Sequence, residues 1–199
     1  MKNIITIQHT QSVQHTNGMI GSWTDWELTG LGREQAENIG RNLSAELKGQ
    51  AWKICSSDLA RAKQTAQPLA GYMGIEIEYR DKLREIYFGE ALGKTKQWAR
   101  ENRLPVNSID DRSFPGAETW REFWNRIAGF CREIIAGEAE NVIIVAHAGT
   151  LTIWQQLWLG EEIQMERFNP SGGVSFMRMD DNGQRTIQRR CDLSYMRKN

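Results

Sequence analysis

Val142-Ile143-Ile144-Val145-Ala146-His147 is the stretch of sequence that decides the fold. Five consecutive apolar residues are typical of a strand that is buried on both faces, as in a parallel sheet covered by helices. A second strand is predicted at residues 4–8, and it delivers another histidine, His9. Ligands of an open α/β sheet bind outside the carboxyl ends of its strands. His9 and His147 are therefore expected to face one crevice.

Strand patterns alternate with helical patterns along the rest of the chain. Further strands are predicted at 52–55 and 75–79, helices at about 31–47, 58–73, 119–136 and 150–159, and a hairpin at 174–179 and 186–190. This order predicts an α/β fold, a three-layer α/β/α sandwich with a mostly parallel central sheet. We expect a single domain over residues 1–199, because no linker or repeat interrupts the pattern. Ser57 or Asp58 is expected to cap the second helix.

Composition and charge argue against several classes of protein. Lys plus Arg and Asp plus Glu both number 25 in the 199 residues, so no global field favours nucleic acid or an anionic membrane. No apolar run approaches the roughly 20 residues that span a bilayer, and Met1-Lys2-Asn3 does not begin a signal peptide. Cys55, Cys131 and Cys191 form no CxxC pair, so no zinc knuckle is indicated. We expect a cytoplasmic protein with free thiols, and a homodimer is left open.

A third motif lies between the two histidines and reads Ser56-Ser57-Asp58-Leu59-Ala60-Arg61-Ala62-Lys63-Gln64-Thr65-Ala66. Arg61 falls in the first turn of the helix that follows a strand, so its guanidinium is expected in the crevice of the histidines. The N-terminus of that helix adds backbone N–H donors for an anion. Two imidazoles and a guanidinium suit a phosphoryl group in transfer, because one imidazole attacks while cations stabilise the equatorial oxygens.

These motifs, in this order, resemble the histidine phosphatase superfamily, the group that includes cofactor-dependent phosphoglycerate mutases. The resemblance implies that His9 is the nucleophile that becomes phosphohistidine and that Arg61 binds the phosphate. It implies that His147 contacts the phosphoryl group and stabilises charge. Glu85, in Leu83-Arg84-Glu85-Ile86-Tyr87-Phe88-Gly89, corresponds to the acid that protonates the leaving oxygen. The chemistry of the family uses no metal, and we expect no cofactor.

The sequence departs from the family pattern around the two histidines. The first motif, Arg-His-Gly in the family, is Gln8-His9-Thr10 here, so a permanent charge is replaced by a neutral donor. The loss of one charge-assisted bond costs roughly 1.5–3 kcal/mol, or about one to two decades in rate. His15 falls where the family usually has a phosphate-binding Asn; it either restores the charge when protonated or is an exposed loop histidine. Thr10 and Ala148 replace glycines, and both are expected to reshape the pocket.

The sequence favours a phosphomonoesterase that acts on a small phosphorylated metabolite, with no nucleic-acid or membrane partner. The alternatives are a phosphotransferase of the phosphoglycerate mutase type and a weakened pseudoenzyme that only binds a phosphorylated ligand. We place Trp23 in the substrate pocket, with packing as its alternative role. Together with Trp26, Phe88 and Trp98 it predicts apolar walls, which disfavour a very polar sugar phosphate.

Overall fold

The central sheet positions the two histidines that end strands. The computed structural model describes residues 1–165 and 169–198. Within these residues six strands form one sheet: β1 (Lys2–Gln8), β2 (Lys53–Ser57), β3 (Ile77–Arg80), β4 (Asn141–Ala146), β5 (Val174–Met179) and β6 (Arg185–Asp192). Their order is β3-β2-β4-β1-β5-β6; the first four are parallel, and β5 is antiparallel to both β1 and β6. Because β1 and β4 are neighbours, His9 and His147 emerge side by side.

Helices on both faces explain why the central strands are apolar. They are α1 (Gly30–Glu46), α2 (Ala60–Met73), α4 (Trp120–Ala136) and α5 (Ala148–Leu159), whereas the short helix α3 (Lys96–Asn102) packs in a separate small core. Ile5 and Ile143 belong to the core shared with α1 and α2, whereas their neighbours Ile4 and Ile144 belong to the core shared with α4 and α5. The predicted three-layer α/β/α sandwich is confirmed. None of the helices described is long and apolar enough to cross a membrane.

The start of α2 differs from the expectation that Ser57 or Asp58 caps it. β2 continues through Ser57, so the helix begins only at Ala60. Asp58 instead accepts two hydrogen bonds from Arg84, at 2.7 and 2.6 Å. The carboxylate at the helix start is that of Asp25, which accepts from the Ala60 N–H at 2.6 Å. A distant loop thus supplies the acceptor that the local sequence was expected to provide.

Two long segments, residues 9–29 and 81–119, cover the carboxyl ends of the parallel strands. An isolated bridge joins Met19 to Thr95, so the two segments hold each other. They also enclose a small apolar core of their own, formed by Ala91, Ala99, Phe114 and Ala117 with Ile20, Phe88 and Trp98 packed against it. The lid over the strand ends is therefore packed rather than loose.

Candidate active site

His9 lies directly after β1 with its ring buried. Its Nδ1 is 2.9 Å from the carbonyl oxygen of Thr10, which can only accept, so Nδ1 carries the proton. The other ring nitrogen, Nε2, accepts from Arg61 Nε at 3.3 Å. Burial, and after it the Arg61 charge, holds the pKa of His9 well below its usual value of 6.5. The ring is neutral at neutral pH, and the unprotonated nitrogen is Nε2, whose lone pair is held by the Arg61 hydrogen bond.

Arg61 is a fully buried cation in the first turn of α2. Besides its contact with His9, it donates from Nη1 to the Thr24 carbonyl at 2.8 Å and from Nη2 to the Ser22 carbonyl at 2.7 Å. Burial lowers the pKa of Arg61 to about 10, so the guanidinium stays protonated at neutral pH. Arg61 therefore fixes the loop after His9 and provides a positive charge beside Nε2 of that histidine.

His147 stands at the N-cap position of α5 and is also buried. Its Nε2 lies 2.9 Å from Ser57 Oγ, and its ring centroid is 5.1 Å from that of His9 in an edge-on arrangement. Within the described part of the chain its Nδ1 has no hydrogen-bond partner. Burial, followed by the charge of Arg61, lowers the pKa of His147 well below its usual value. The ring is a neutral polar group that faces the same point as His9.

Glu85 is held by backbone donors on both carboxylate oxygens. Oε1 accepts from the Ile86 N–H at 3.0 Å, and Oε2 accepts from the Gly149 N–H at 3.1 Å, at the N-terminus of α5. A Cβ atom at Gly149 would lie only 2.4 Å from Glu85 Oε1. The absence of a side chain at position 149 is what allows the carboxylate to sit against the helix.

Five predicted site residues line one cavity of about 250 Å³, the catalytic cavity. They are Gln8, His9, His15, Glu85 and Ala148. Arg61 and His147 lie next to them through their contacts with His9. Among the residues that the structure describes, no group of three or more His, Cys, Asp or Glu side chains is arranged to hold a metal ion. The cavity therefore offers a neutral imidazole, a fixed cation and a carboxylate for chemistry.

The comparison with known families agrees with this arrangement. The model of the histidine phosphatase superfamily (branch 1) matches residues 4–192. The chain belongs to the histidine phosphatase superfamily. It is an enzyme of the phosphatase type, as the family and its phosphatase-named relatives indicate.

Relatives in sequence and in structure carry different names. A Hydrogenobacter thermophilus protein that carries the name of a phosphoserine phosphatase is 31% identical over 76% of this chain and 75% of its own length. Phosphoglycerate mutase-like protein 4 of Arabidopsis thaliana is 26% identical over 97% of this chain and 86% of its own. The solved α-ribazole phosphatase of Shigella flexneri superposes with a TM-score of 0.84 over 99% of this chain and all of its own, at 19% identity, which shows a shared fold.

Gln8 stands where the superfamily has an arginine, and its side chain faces the backbone of a turn. Its carboxamide lies against the backbone carbonyls of Asn169 and Pro170, and the amide orientation that satisfies both carbonyls directs the nitrogen to them, 3.2 Å from that of Pro170. The turn that it holds also carries Ser171, whose hydroxyl donates to the His9 carbonyl at 2.9 Å. In that orientation the donors of Gln8 are engaged by the backbone of residues 169–170, and Gln8 supports the position of His9.

The two glycine replacements have different consequences. Thr10 turns its hydroxyl away from the catalytic cavity and donates to the Gly32 carbonyl at 2.7 Å, while its N–H donates to Thr65 Oγ1. The expectation that Thr10 reshapes the pocket is wrong, because its bulk fills the contact with α1 and α2. Ala148, in contrast, lines the cavity beside His147.

Trp23 lies behind Glu85, outside the set of residues that line the catalytic cavity. Its indole nitrogen donates to the Glu85 carbonyl at 2.6 Å, and the Arg84 guanidinium lies 4.7 Å from the ring centroid. The structure thus gives Trp23 a packing position that fixes the backbone of the carboxylate.

His15 stacks on His9, with ring centroids 5.5 Å apart and planes at 12°. Its Nδ1 accepts from the Ser12 N–H at 3.0 Å, so the neutral ring presents Nε2–H. Burial, and then the charges of Lys96 and Arg61, lower the pKa of His15. The residue as a whole is nevertheless exposed, as expected of a loop histidine, and the lowered pKa makes its protonation less favourable.

Two residues of the site, Lys96 and Ser22, were not predicted from the sequence. Lys96, at the start of α3, lines the catalytic cavity and donates to the Gln14 carbonyl at 3.0 Å. Ser22 has a left-handed backbone, with φ of 51°, and its hydroxyl donates to the Ile86 carbonyl at 2.8 Å and accepts from the Phe88 N–H at 2.9 Å. No local pattern marks either residue, because both act through segments distant in sequence.

Proposed function

We propose that this enzyme hydrolyses a phosphomonoester through a phosphohistidine at His9, with Glu85 as the general acid. The observation that carries the proposal is the tautomer of His9, whose Nδ1–H is bound to the Thr10 carbonyl and whose Nε2 is unprotonated. A neutral, buried imidazole with a fixed proton is a competent nucleophile at neutral pH. Glu85 borders the same cavity and supports the choice of acid.

The first step forms the phosphoenzyme. His9 Nε2 attacks phosphorus, the bond from phosphorus to the ester oxygen breaks, and the proton of Glu85 in its acid form passes to that oxygen. Negative charge on the phosphoryl oxygens is stabilised by the Arg61 cation and by the polar atoms at the N-terminus of α5. The alcohol leaves, and His9 carries the phosphoryl group as a cationic phosphoimidazole.

The second step returns the enzyme to its starting state. Glu85, now a carboxylate, takes a proton from a water molecule as the water oxygen attacks phosphorus. The bond between phosphorus and Nε2 breaks, and its electron pair returns to the His9 ring. Inorganic phosphate leaves, and Glu85 is again protonated for the next turnover. One water is consumed for each ester cleaved.

The pocket reaches this chemistry with one fixed charge fewer than the family pattern. The Gln8 donors are engaged by backbone carbonyls, so the phosphoryl group depends on Arg61. Among the described residues that line the catalytic cavity, Lys96 is the one lysine or arginine, and we assign it a share of the phosphate charge. Loss of one charge-assisted contact lowers the rate by about one to two decades relative to a pocket with both arginines.

The test is to trap the phosphoenzyme. The wild type is mixed with radiolabelled phenyl phosphate, phosphoserine or 3-phosphoglycerate, quenched in alkali, and analysed for acid-labile phosphohistidine and for released phosphate. We expect label in the wild type, slower but detectable labelling in His147→Gln, and none in His9→Asn.

Three other outcomes would contradict the proposal. Phosphate release without labelled histidine would exclude the covalent route. Isomerisation of 3-phosphoglycerate without phosphate release would indicate a phosphotransferase. Calorimetric binding of the phosphoesters without any turnover would indicate a binding protein.

A further inference from the structure

A second cavity, of about 360 Å³, adjoins the catalytic cavity, and we call it the distal cavity. The two share Ile20 and Phe88 as walls, and Ile86, the neighbour of the general acid, also lines the distal one. An alcohol whose oxygen is protonated by Glu85 would therefore extend past Phe88 into this space. Its volume is in the range of pockets that bind small organic ligands.

The inner walls of the distal cavity are apolar and aromatic. Phe88 and Phe114 meet edge to face with centroids 5.9 Å apart, and Trp120 completes the wall from the start of α4. Flat aromatic faces favour a flat or ring-shaped apolar group, because ring contacts add to the free energy of burial. A short, fully hydroxylated alcohol would leave these walls unfilled.

The charges at the distal cavity are unequal. Of its two carboxylates, Glu118 is paired with Arg126, from which it accepts two hydrogen bonds at 2.8 and 2.7 Å, whereas Asp111 keeps its charge and accepts from two backbone N–H groups at 2.8 Å. Arg100 and Arg103 also line the cavity, and within residues 1–165 and 169–198 neither guanidinium makes an ion pair or a hydrogen bond. The net field at this end therefore attracts an anion.

We infer that the substrate is a phosphomonoester of an alcohol that carries a ring-shaped apolar body and, at its far end, a carboxylate held by Arg100 and Arg103. The inference rests on the proposed function, since the phosphate defines the near end of the ligand. A planar guanidinium matches a carboxylate with two parallel hydrogen bonds, which makes arginine the suitable residue for this recognition. The apolar walls select the body of the alcohol, and the two arginines select its charge.

The test compares two aryl phosphates whose phenol leaving groups have equal acidity. One is 3-(4-phosphonooxyphenyl)propionate (the acid), and the other is its carboxyl methyl ester (the ester), which lacks the terminal charge. We expect kcat/KM of the wild type to favour the acid by about 10- to 100-fold, the effect of one charge-assisted hydrogen bond. In Arg100→Gln/Arg103→Gln the preference falls to about 3-fold or less through a rise in KM for the acid. The matched control Arg132→Gln, an exposed arginine on α4, keeps the wild-type preference.

A binding measurement separates this inference from the proposed function. Titration calorimetry with 3-(4-hydroxyphenyl)propionate, the dephosphorylated acid, probes the distal cavity without turnover, and we expect its Kd to rise about 10-fold in the double variant. An unchanged Kd, or equal kcat/KM for acid and ester in the wild type, overturns the inference. Absence of phosphate release from both esters, with the Kd difference retained, overturns the proposed hydrolysis and leaves the anion site standing.

Discussion

Replacing Gly149 with alanine tests whether the position of the Glu85 carboxylate controls catalysis. The new Cβ would lie 2.4 Å from Glu85 Oε1 and 3.1 Å from a ring carbon of Phe123, whereas ordinary contacts begin near 3.4 Å. Phe123 is fully buried in the core, so the carboxylate is the group that must yield. We expect Oε1 to shift by about 1 Å, which is enough to spoil proton transfer to the leaving oxygen.

The expected loss is selective for the substrate. A misplacement of this size costs about 100-fold, within the range that a general acid contributes. The loss should be seen with alkyl phosphates, whose alkoxide needs a proton to leave, and should be much smaller with p-nitrophenyl phosphate, whose phenolate leaves without one. The free energy of unfolding should change little, because alanine is favoured over glycine in a helix by up to about 1 kcal/mol and offsets the local crowding.

The assay measures kcat/KM for both ester types together with urea unfolding of each variant. Gly129→Ala in α4 is the control, since its Cβ would meet only Arg132, at 4.0 Å. We expect this control to retain full activity and to gain up to about 1 kcal/mol of stability. Full activity of Gly149→Ala on alkyl phosphates would refute the reasoning, and so would an equal loss on both ester types.

Three further predictions concern stability and reactivity. Ser22→Ala removes two buried hydrogen bonds, so the free energy of unfolding should fall by about 2–4 kcal/mol. The control Ser44→Ala removes one exposed hydrogen bond within α1 and should change the free energy of unfolding by less than about 0.5 kcal/mol. Equal losses of stability in the two variants would contradict the two hydrogen bonds of Ser22. Burial lowers the pKa values of His9 and His147, so the unfolded chain takes up their protons first as the pH falls. Stability should be constant above the usual histidine pKa of 6.5 and fall below it by up to about 2.7 kcal/mol per pH unit, and a flat urea-midpoint profile between pH 8 and pH 5 would contradict this. Cys55 is fully buried with its pKa raised to about 11, so a disulfide reagent at pH 8 should label it only after denaturation.

The local sequence predicted most of the scaffold because burial periodicity is a local property. The run 142–146 and the pattern of residues 4–8 correspond to β4 and β1, and the helix expected at 119–136 corresponds to α4, which Thr119 caps. The observed ends of helices and strands differ from the predicted ends by a few residues. The helix expected at 150–159, for example, begins at Ala148, because His147 takes the N-cap position. Backbone hydrogen bonds at an element's end depend on neighbours that periodicity does not describe.

The proximity of the candidate site residues was predicted from the sequence, but their contacts were not. His9, Arg61 and His147 were expected in one crevice because each follows or begins an element at the same edge of the sheet, and the fold brings them there. That the donors of Gln8 turn to backbone carbonyls was not predictable, since Asn169 and Pro170 lie far away in sequence. Residue type gives the capacity to donate a hydrogen bond, and tertiary packing decides which acceptor receives it.

The sequence by itself therefore determined the α/β/α sandwich fold and the burial pattern of its strands. It also determined which reactive side chains stand at the strand ends. Only the tertiary structure decided how segments 9–29 and 81–119 meet. The hydrogen bonds from Ser22 and Trp23 to the backbone of residues 85–88 depend on that contact. The tertiary structure also placed Arg100 and Arg103 beside a cavity with apolar walls. The physical reason is that strand and helix periodicity arises from neighbours along the chain, whereas a pocket is formed by irregular segments whose contacts span many residues.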